Sequence, residues 1–229
     1  MKGERKETAW RKSRKFGDVY GGRLRPKLAD NIFNRAHSLL APSPEDELPI
    51  LIEENPSKGF FFPVSGADVI AHLRTFLSED IIGITHVWLR RVKKSEYDAG
   101  EVPFAQFICG SGVRVVILYP WPKDLILCFG AKKPSAKRLR EYARWTTDLF
   151  YLNDHWHLRW TQDALRCFYL DYLLAHEIGH HIDQYSRHWS KANRKQVEAF
   201  ADHYAAQWLA NSTAIYQVNL AETESDGLP

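Results

Sequence analysis

The stretch 169–184, YLDYLLAHEIGHHIDQ, decides how this chain is read. It lies inside a longer predicted helix, Thr161–Ser186, for which Thr161 supplies an N-cap hydroxyl. Positions i and i+4 of an α-helix differ by about 40°, so His176 and His180 share one face, a turn apart. Two neutral imidazoles at that spacing can hold one tetrahedral Zn²⁺ between them. Glu177 projects about 100° from His176. It can flank the metal without ligating it, which is where a general base acting on a metal-bound water should stand.

Two histidines leave a catalytic zinc one protein ligand short. The next predicted helix, Ser190–Asn211, carries Val197-Glu198-Ala199-Phe200-Ala201-Asp202. Glu198 follows His180 by 18 residues, enough for a turn around 186–190 and an antiparallel return. Asp202 is one turn past Glu198, and a carboxylate there could accept the second ring N–H of a zinc-bound histidine and fix its tautomer. Ala199, Ala201, Ala205 and Ala206 are small enough to let the two helices approach closely. His203 is the weaker choice of third ligand, because it lies five residues past Glu198 and off its face.

HEIGH followed by a helix bearing EAFAD resembles the gluzincin pattern of zinc metallopeptidases. The short spacing is similar to the minimal cytoplasmic members, including the ImmA/IrrE group of bacterial regulatory peptidases. The resemblance covers about residues 165–210. It implies a zincin-like α+β fold in which a small mixed β-sheet precedes the active-site helix and a second helix carries the third ligand. It further implies zinc on His176, His180 and Glu198, Glu177 as general base and Asp202 as partner of a ligating histidine. A strand of the preceding sheet would bind an extended protein or peptide substrate. On this chemistry Glu177 takes a proton from the attacking water and returns it to the leaving amine. A further donor to the oxyanion is wanted, and His203, Tyr204, His188 and Tyr185 are open choices.

Working outward, the middle of the chain reads as sheet. Ile81–Val92, Val102–Ile108, Val113–Tyr119 and Leu125–Phe129 are rich in β-branched and aromatic residues and are separated by turn residues. Val115-Val116-Ile117-Leu118 is apolar without a break, which predicts a strand covered on both faces. Helices are expected at Leu28–Leu40, Gly66–Leu77 and Ser135–Tyr151, with a Pro-rich acidic linker over 41–49. The order of elements predicts an α+β domain over residues 28–229. His155 and His157 alternate as strand ligands would, but a loop packed by Trp156 and Trp160 is the simpler reading. His181 is expected on the helix surface or behind the ligands, and Cys109 and Cys128 in the core or on strands.

The chain has 229 residues, of which 45% are apolar and 13% aromatic, a composition that supports a large core. It has no apolar run of transmembrane length and no apolar segment behind Met1–Trp10 to act as a secretory leader. Three cysteines without CxxC spacing are too few for a disulfide framework and suggest a reducing, cytoplasmic location. The net charge of +3 is unevenly spread. Residues 1–27 hold ten Lys/Arg against three acids, +7, while 28–229 hold 21 against 25, −4. The basic arm suggests an anionic partner such as nucleic acid. This leaves a second class of function open: a regulatory or nucleic-acid-associated module, or a DNA-associated protease, in which the metal is a staple or sensor.

Overall fold

A computed structural model of the chain describes residues 30–225 apart from 32–33, 36–38, 101 and 191, with backbone alone for 30–38 and beyond 211. The basic arm of residues 1–27 lies outside the described residues. Much of the helix expected over Leu28–Leu40 does too, and its described part differs from expectation. Strands β1 (Asp30–Asn31) and β2 (Asn34–Arg35) pair there as an antiparallel hairpin. Asp and Asn are poor helix formers that favour turns, and the central pair of the hairpin is flanked by them.

The main sheet is mixed and four-stranded. It comprises β3 (Ile50–Glu53), β5 (His86–Leu89), β6 (Ala105–Gly110) and β7 (Val113–Leu118) in the order β3-β5-β7-β6. The first three run parallel, and β6 returns antiparallel to β7 as the outer strand. The expected Ile81–Val92 strand is therefore only His86–Leu89, and β3 was hidden by its brevity beside the acidic linker. The unbroken 115–118 run behaves as its composition requires. Val116 and Leu118 enter the large core on one face, while Val115 and Ile117 pack with Val92, Ile108, Val113 and Tyr119 on the other.

A two-stranded piece, β4 (Phe60–Phe61) with β8 (Trp121–Pro122), adjoins the main sheet's connections. Helix α1 (Gly66–Leu73) is shorter than the expected Gly66–Leu77, and the short helices α2 (Ser78–Ile81) and α3 (Lys94–Asp98) follow. Ser65 caps α1 by accepting from the Asp68 amide, and the Asp68 carboxylate accepts from the Ser65 amide, a reciprocal arrangement that satisfies two end donors. The Asp68 carboxylate also takes two hydrogen bonds from Arg166, at 2.7 and 2.9 Å. Arg166, followed by Ser65, holds the Asp68 carboxyl well below the usual carboxylate range. Because its folded-state pKa is depressed, this stabilisation is present above the unfolded carboxyl value and fades as pH falls through it. Asp68→Ala should cost about 1–2 kcal/mol, from the lost cap and a mostly exposed ion pair, read by denaturant unfolding at pH 7, with the difference shrinking toward pH 2.

The segment 126–159 corrects the reading most. Only Ala136–Arg140, α4, is helical in the span expected as Ser135–Tyr151. A second sheet forms instead, with β10 (Leu149–Leu152) and β11 (His155–Arg159) antiparallel and β9 (Ile126–Gly130) on the far side of β11. The turn Asn153-Asp154 has φ of 50° and 61°, and these residue types tolerate that left-handed geometry better than most. Thr146 bonds the Arg159 carbonyl through its hydroxyl at 2.6 Å, one way in which Thr diverts a chain from helix. His155 and His157 thus stand on a strand, and their Nδ1 and Nε2 face the carbonyls of Asn153 and Leu152. Cys109 and Cys128 also lie on strands, but Cys128 is exposed.

The predicted Thr161–Ser186 helix is one continuous rod in three parts. Helix α5 (Gln162–Cys167) is capped by Thr161, whose hydroxyl accepts from the Ala164 amide at 3.1 Å. A π-helical segment, Phe168–Leu174, follows, and then α6 (Ala175–Ser186). Helix α7, expected at Ser190–Asn211, runs Arg194–Ser225. Asn193 holds the turn before it, with its Oδ1 accepting from the Ser190 amide and its Nδ2 donating to the His188 carbonyl. The result is α+β, with the large core between one sheet face and the rod. Among the described residues no helix is long and apolar enough to cross a membrane.

Candidate metal centre

Helices α6 and α7 cross closely where Gly179 meets Ala201. A Cβ added at Gly179 would stand 2.8 Å from the Ala201 Cα and 3.3 Å from its carbonyl oxygen. Of the four alanines expected at this crossing, Ala201 and Ala205 are fully buried, while Ala199 and Ala206 face outward. The close approach brings a carboxylate on α7 against the two histidines on α6.

His176, His180 and Glu198 meet there and could hold a metal ion. His176 Nε2 and His180 Nε2 are 3.1 Å apart, and each is 3.7 Å from Glu198 Oε2. A tetrahedral ion with bonds of about 2.0–2.1 Å needs donor atoms about 3.3–3.4 Å apart. The three atoms already form a triangle close to that size. The histidines are largely covered, whereas the Glu198 side chain is 47% exposed. One side of the triangle is therefore open to solvent, as a site with a substrate position would be.

Asp202 stands where the sequence put it, its Oδ1 3.1 Å from His176 Nδ1. Burial opposes a charge on His176, but Asp202 and then Glu198 outweigh it and raise its proton affinity. His180 moves the other way, lowered by burial and by the neighbouring His176. In the metal-free pair a proton is therefore favoured on His176 over His180. Glu198 is lowered chiefly by His176. An ion would replace that proton, so binding releases it and weakens in acid.

Glu177 is 4% exposed. Burial is the main reason its carboxyl is pushed up to about 7, partly offset by His176. The backbone amide of Phe107, on the outer strand β6, donates to this carboxylate. A carboxyl poised near neutrality is suited to taking and returning a proton.

The four residues considered as oxyanion donors have other engagements or positions. The Tyr204 hydroxyl donates to Asp80 at 2.6 Å. Tyr185 packs its ring on His181 and under Arg114. His188 and His203 are exposed. His203 sits off the face that carries Glu198 and is not in the ligand triangle. Of the two places expected for His181, the helix surface is excluded: the residue is buried. Its Nε2 donates to the Ile82 carbonyl at 3.0 Å, and its Nδ1 accepts from Gln184 at 3.0 Å.

Two residues beside the triangle were missed. Trp189 packs its ring edge-on at 5.5 Å from His180 and at 6.1 Å from Phe107, and donates to the fully buried Asp183 at 2.9 Å. Tyr172 donates to Asp202 Oδ1 at 3.3 Å. Nothing in the spacing marks Trp189, which lies in the irregular turn between the helices. Tyr172 is four residues before His176, and that spacing was available as a signal.

No family model matches this chain, no curated protein is similar enough to match it, and no solved structure matches its fold.

Proposed function

We propose that this protein is a zinc-dependent peptidase that hydrolyses peptide bonds of a protein substrate. The observation that carries the reading is Glu177: a buried carboxyl poised near pH 7, flanking a triangle of two histidines and a carboxylate open on one side. A purely structural metal site closes its coordination with four protein ligands and has no use for such a group. The donor set of two imidazoles and one carboxylate suits zinc, in the pattern of catalytic His₂Glu sites.

His176, His180 and Glu198 would hold the ion, and Asp202 would keep His176 in the tautomer that directs Nε2 forward. Bound zinc supplies Lewis acidity toward the scissile carbonyl and acidifies water. Glu177 accepts the proton of the attacking water at its carboxylate and passes it to the leaving amine. The Phe107 amide holds that carboxylate in place while the charge changes. β6 is the outer strand of the main sheet among the described residues, and its Phe107 amide reaches Glu177, so an extended peptide paired along this strand would pass close to the base. Pairing of that kind gives affinity through main-chain hydrogen bonds.

Elemental mass spectrometry on the purified full chain tests the reading. About one zinc per chain is expected, with none in His176→Ala or His180→Ala, and less zinc retained as pH falls. A folded chain that takes up no zinc when it is offered would overturn the assignment.

A further inference from the structure

Tyr172 has no part in the ligand set or in the proton transfer. It lies in the π segment Phe168–Leu174, one wide turn before His176. Its ring is stacked on Phe168, with centroids 5.7 Å apart and planes 15° apart, and Trp145 closes on it at 5.4 Å. This aromatic packing fixes where the hydroxyl can be. The hydroxyl donates to Asp202 Oδ1 at 3.3 Å, and the same oxygen lies 3.1 Å from His176 Nδ1. Two groups from one helix thus converge on a single carboxylate oxygen of the other.

We infer that Tyr172 is a positioning residue for the metal centre, acting through Asp202 to hold the His176 ring so that Nδ1 keeps its proton and Nε2 faces the ion. The inference rests on the metal reading above. Its physical basis is the exposure of Asp202, whose side chain is 59% accessible. A carboxylate so exposed can rotate toward water and release His176. A hydroxyl anchored in an aromatic cluster removes that freedom without adding a charge. π segments inside α-helices occur often beside functional sites. Here the widened turn carries both the anchoring ring Phe168 and the hydroxyl that reaches across to α7.

Groups behind a ligating histidine commonly change metal affinity by about 10- to 100-fold. Tyr172 stands one bond further out, so its loss should weaken zinc binding by about three- to tenfold. The test is zinc affinity, measured against a competing chelator, of the full chain and of Tyr172→Phe, Asp202→Ala and the double variant. Thermal unfolding of the metal-free proteins is recorded beside it. Tyr172→Phe keeps the ring and its packing, so its metal-free midpoint should match the parent while its zinc affinity falls. The double variant should bind zinc as Asp202→Ala alone does, because Tyr172→Phe keeps the ring that packs 6.1 Å from His176 and removes only the hydroxyl bonded to Asp202.

Equal zinc affinity in the parent and Tyr172→Phe would overturn the inference. So would a loss from Tyr172→Phe that persists undiminished in the Asp202→Ala background. A parent chain that binds no zinc would overturn the metal reading and this inference together, whereas a zinc-binding parent with an indifferent Tyr172 removes this inference alone.

Discussion

Glu177→Gln should leave about one zinc on the protein and lower peptide hydrolysis by about 10²–10⁴-fold, the range usual for loss of a positioned proton-transfer group. Gln has nearly the same shape and can still accept from the Phe107 amide, so folding and metal binding should survive. Only the ability to take and return a proton is lost. The variant also has a stability signature. The Glu177 carboxyl is pushed up to about 7 by burial, against about 4.3 in an unfolded chain. The folded state therefore binds the extra proton between these values, and metal-free stability declines as pH rises through that window. Gln carries no charge at any pH. Metal-free Glu177→Gln should therefore be more stable than the parent at pH 8, by up to about 3 kcal/mol, and the gap should close near pH 4. In the zinc-loaded parent the nearby cation favours the carboxylate, so the acid limb of activity should fall below pH 7. Full hydrolysis by Glu177→Gln would sink the role of the base whatever the metal content.

Gly179→Ala should disturb the helix crossing and the metal centre together. The added Cβ would meet the Ala201 backbone at 2.8 Å, and backbone cannot step aside as a flexible side chain does. Helix α7 must move away from α6, at a cost of about 1–3 kcal/mol, typical of overpacking a tight core. Glu198 rides on α7 and the histidines on α6, so the same movement opens the 3.7 Å sides of the triangle. Zinc affinity should fall at least tenfold with all three ligands still present. Two measurements on one variant, denaturant midpoint and zinc affinity, check this. A variant that keeps both would show that the Gly179–Ala201 contact does not set the spacing of the two helices.

Part of the group that could hold a metal ion was legible from helix periodicity. His176 and His180 share a face by their spacing alone, and Asp202 lies one turn beyond Glu198 by the same rule. The doubly covered strand at 115–118 was legible for a similar reason, since an unbroken apolar run needs cover on both sides. The segment 135–159 was not. Its aromatic and Thr residues fit helix and strand alike over so short a span, and the choice fell to pairing between β11 and β9, beyond the reach of helical or strand periodicity. Whether His181 lay on the surface or behind the ligands stayed open because helical phase does not say what packs on each face, and the Ile82 carbonyl that it bonds lies 99 residues earlier.

Local spacing thus determined which residue types could gather around an ion and on which helices they sit. Periodicity is a property of the backbone alone, so it needs no knowledge of neighbours. Tertiary structure decided the rest. The contact of Gly179 with Ala201 brings Glu198 against the two histidines, and the outer strand β6 supplies the Phe107 amide beside Glu177. The π segment and α7 together bring Tyr172 to Asp202. Each of these depends on two elements meeting, and the energy that makes them meet is spread over the whole core rather than written in any one stretch of chain.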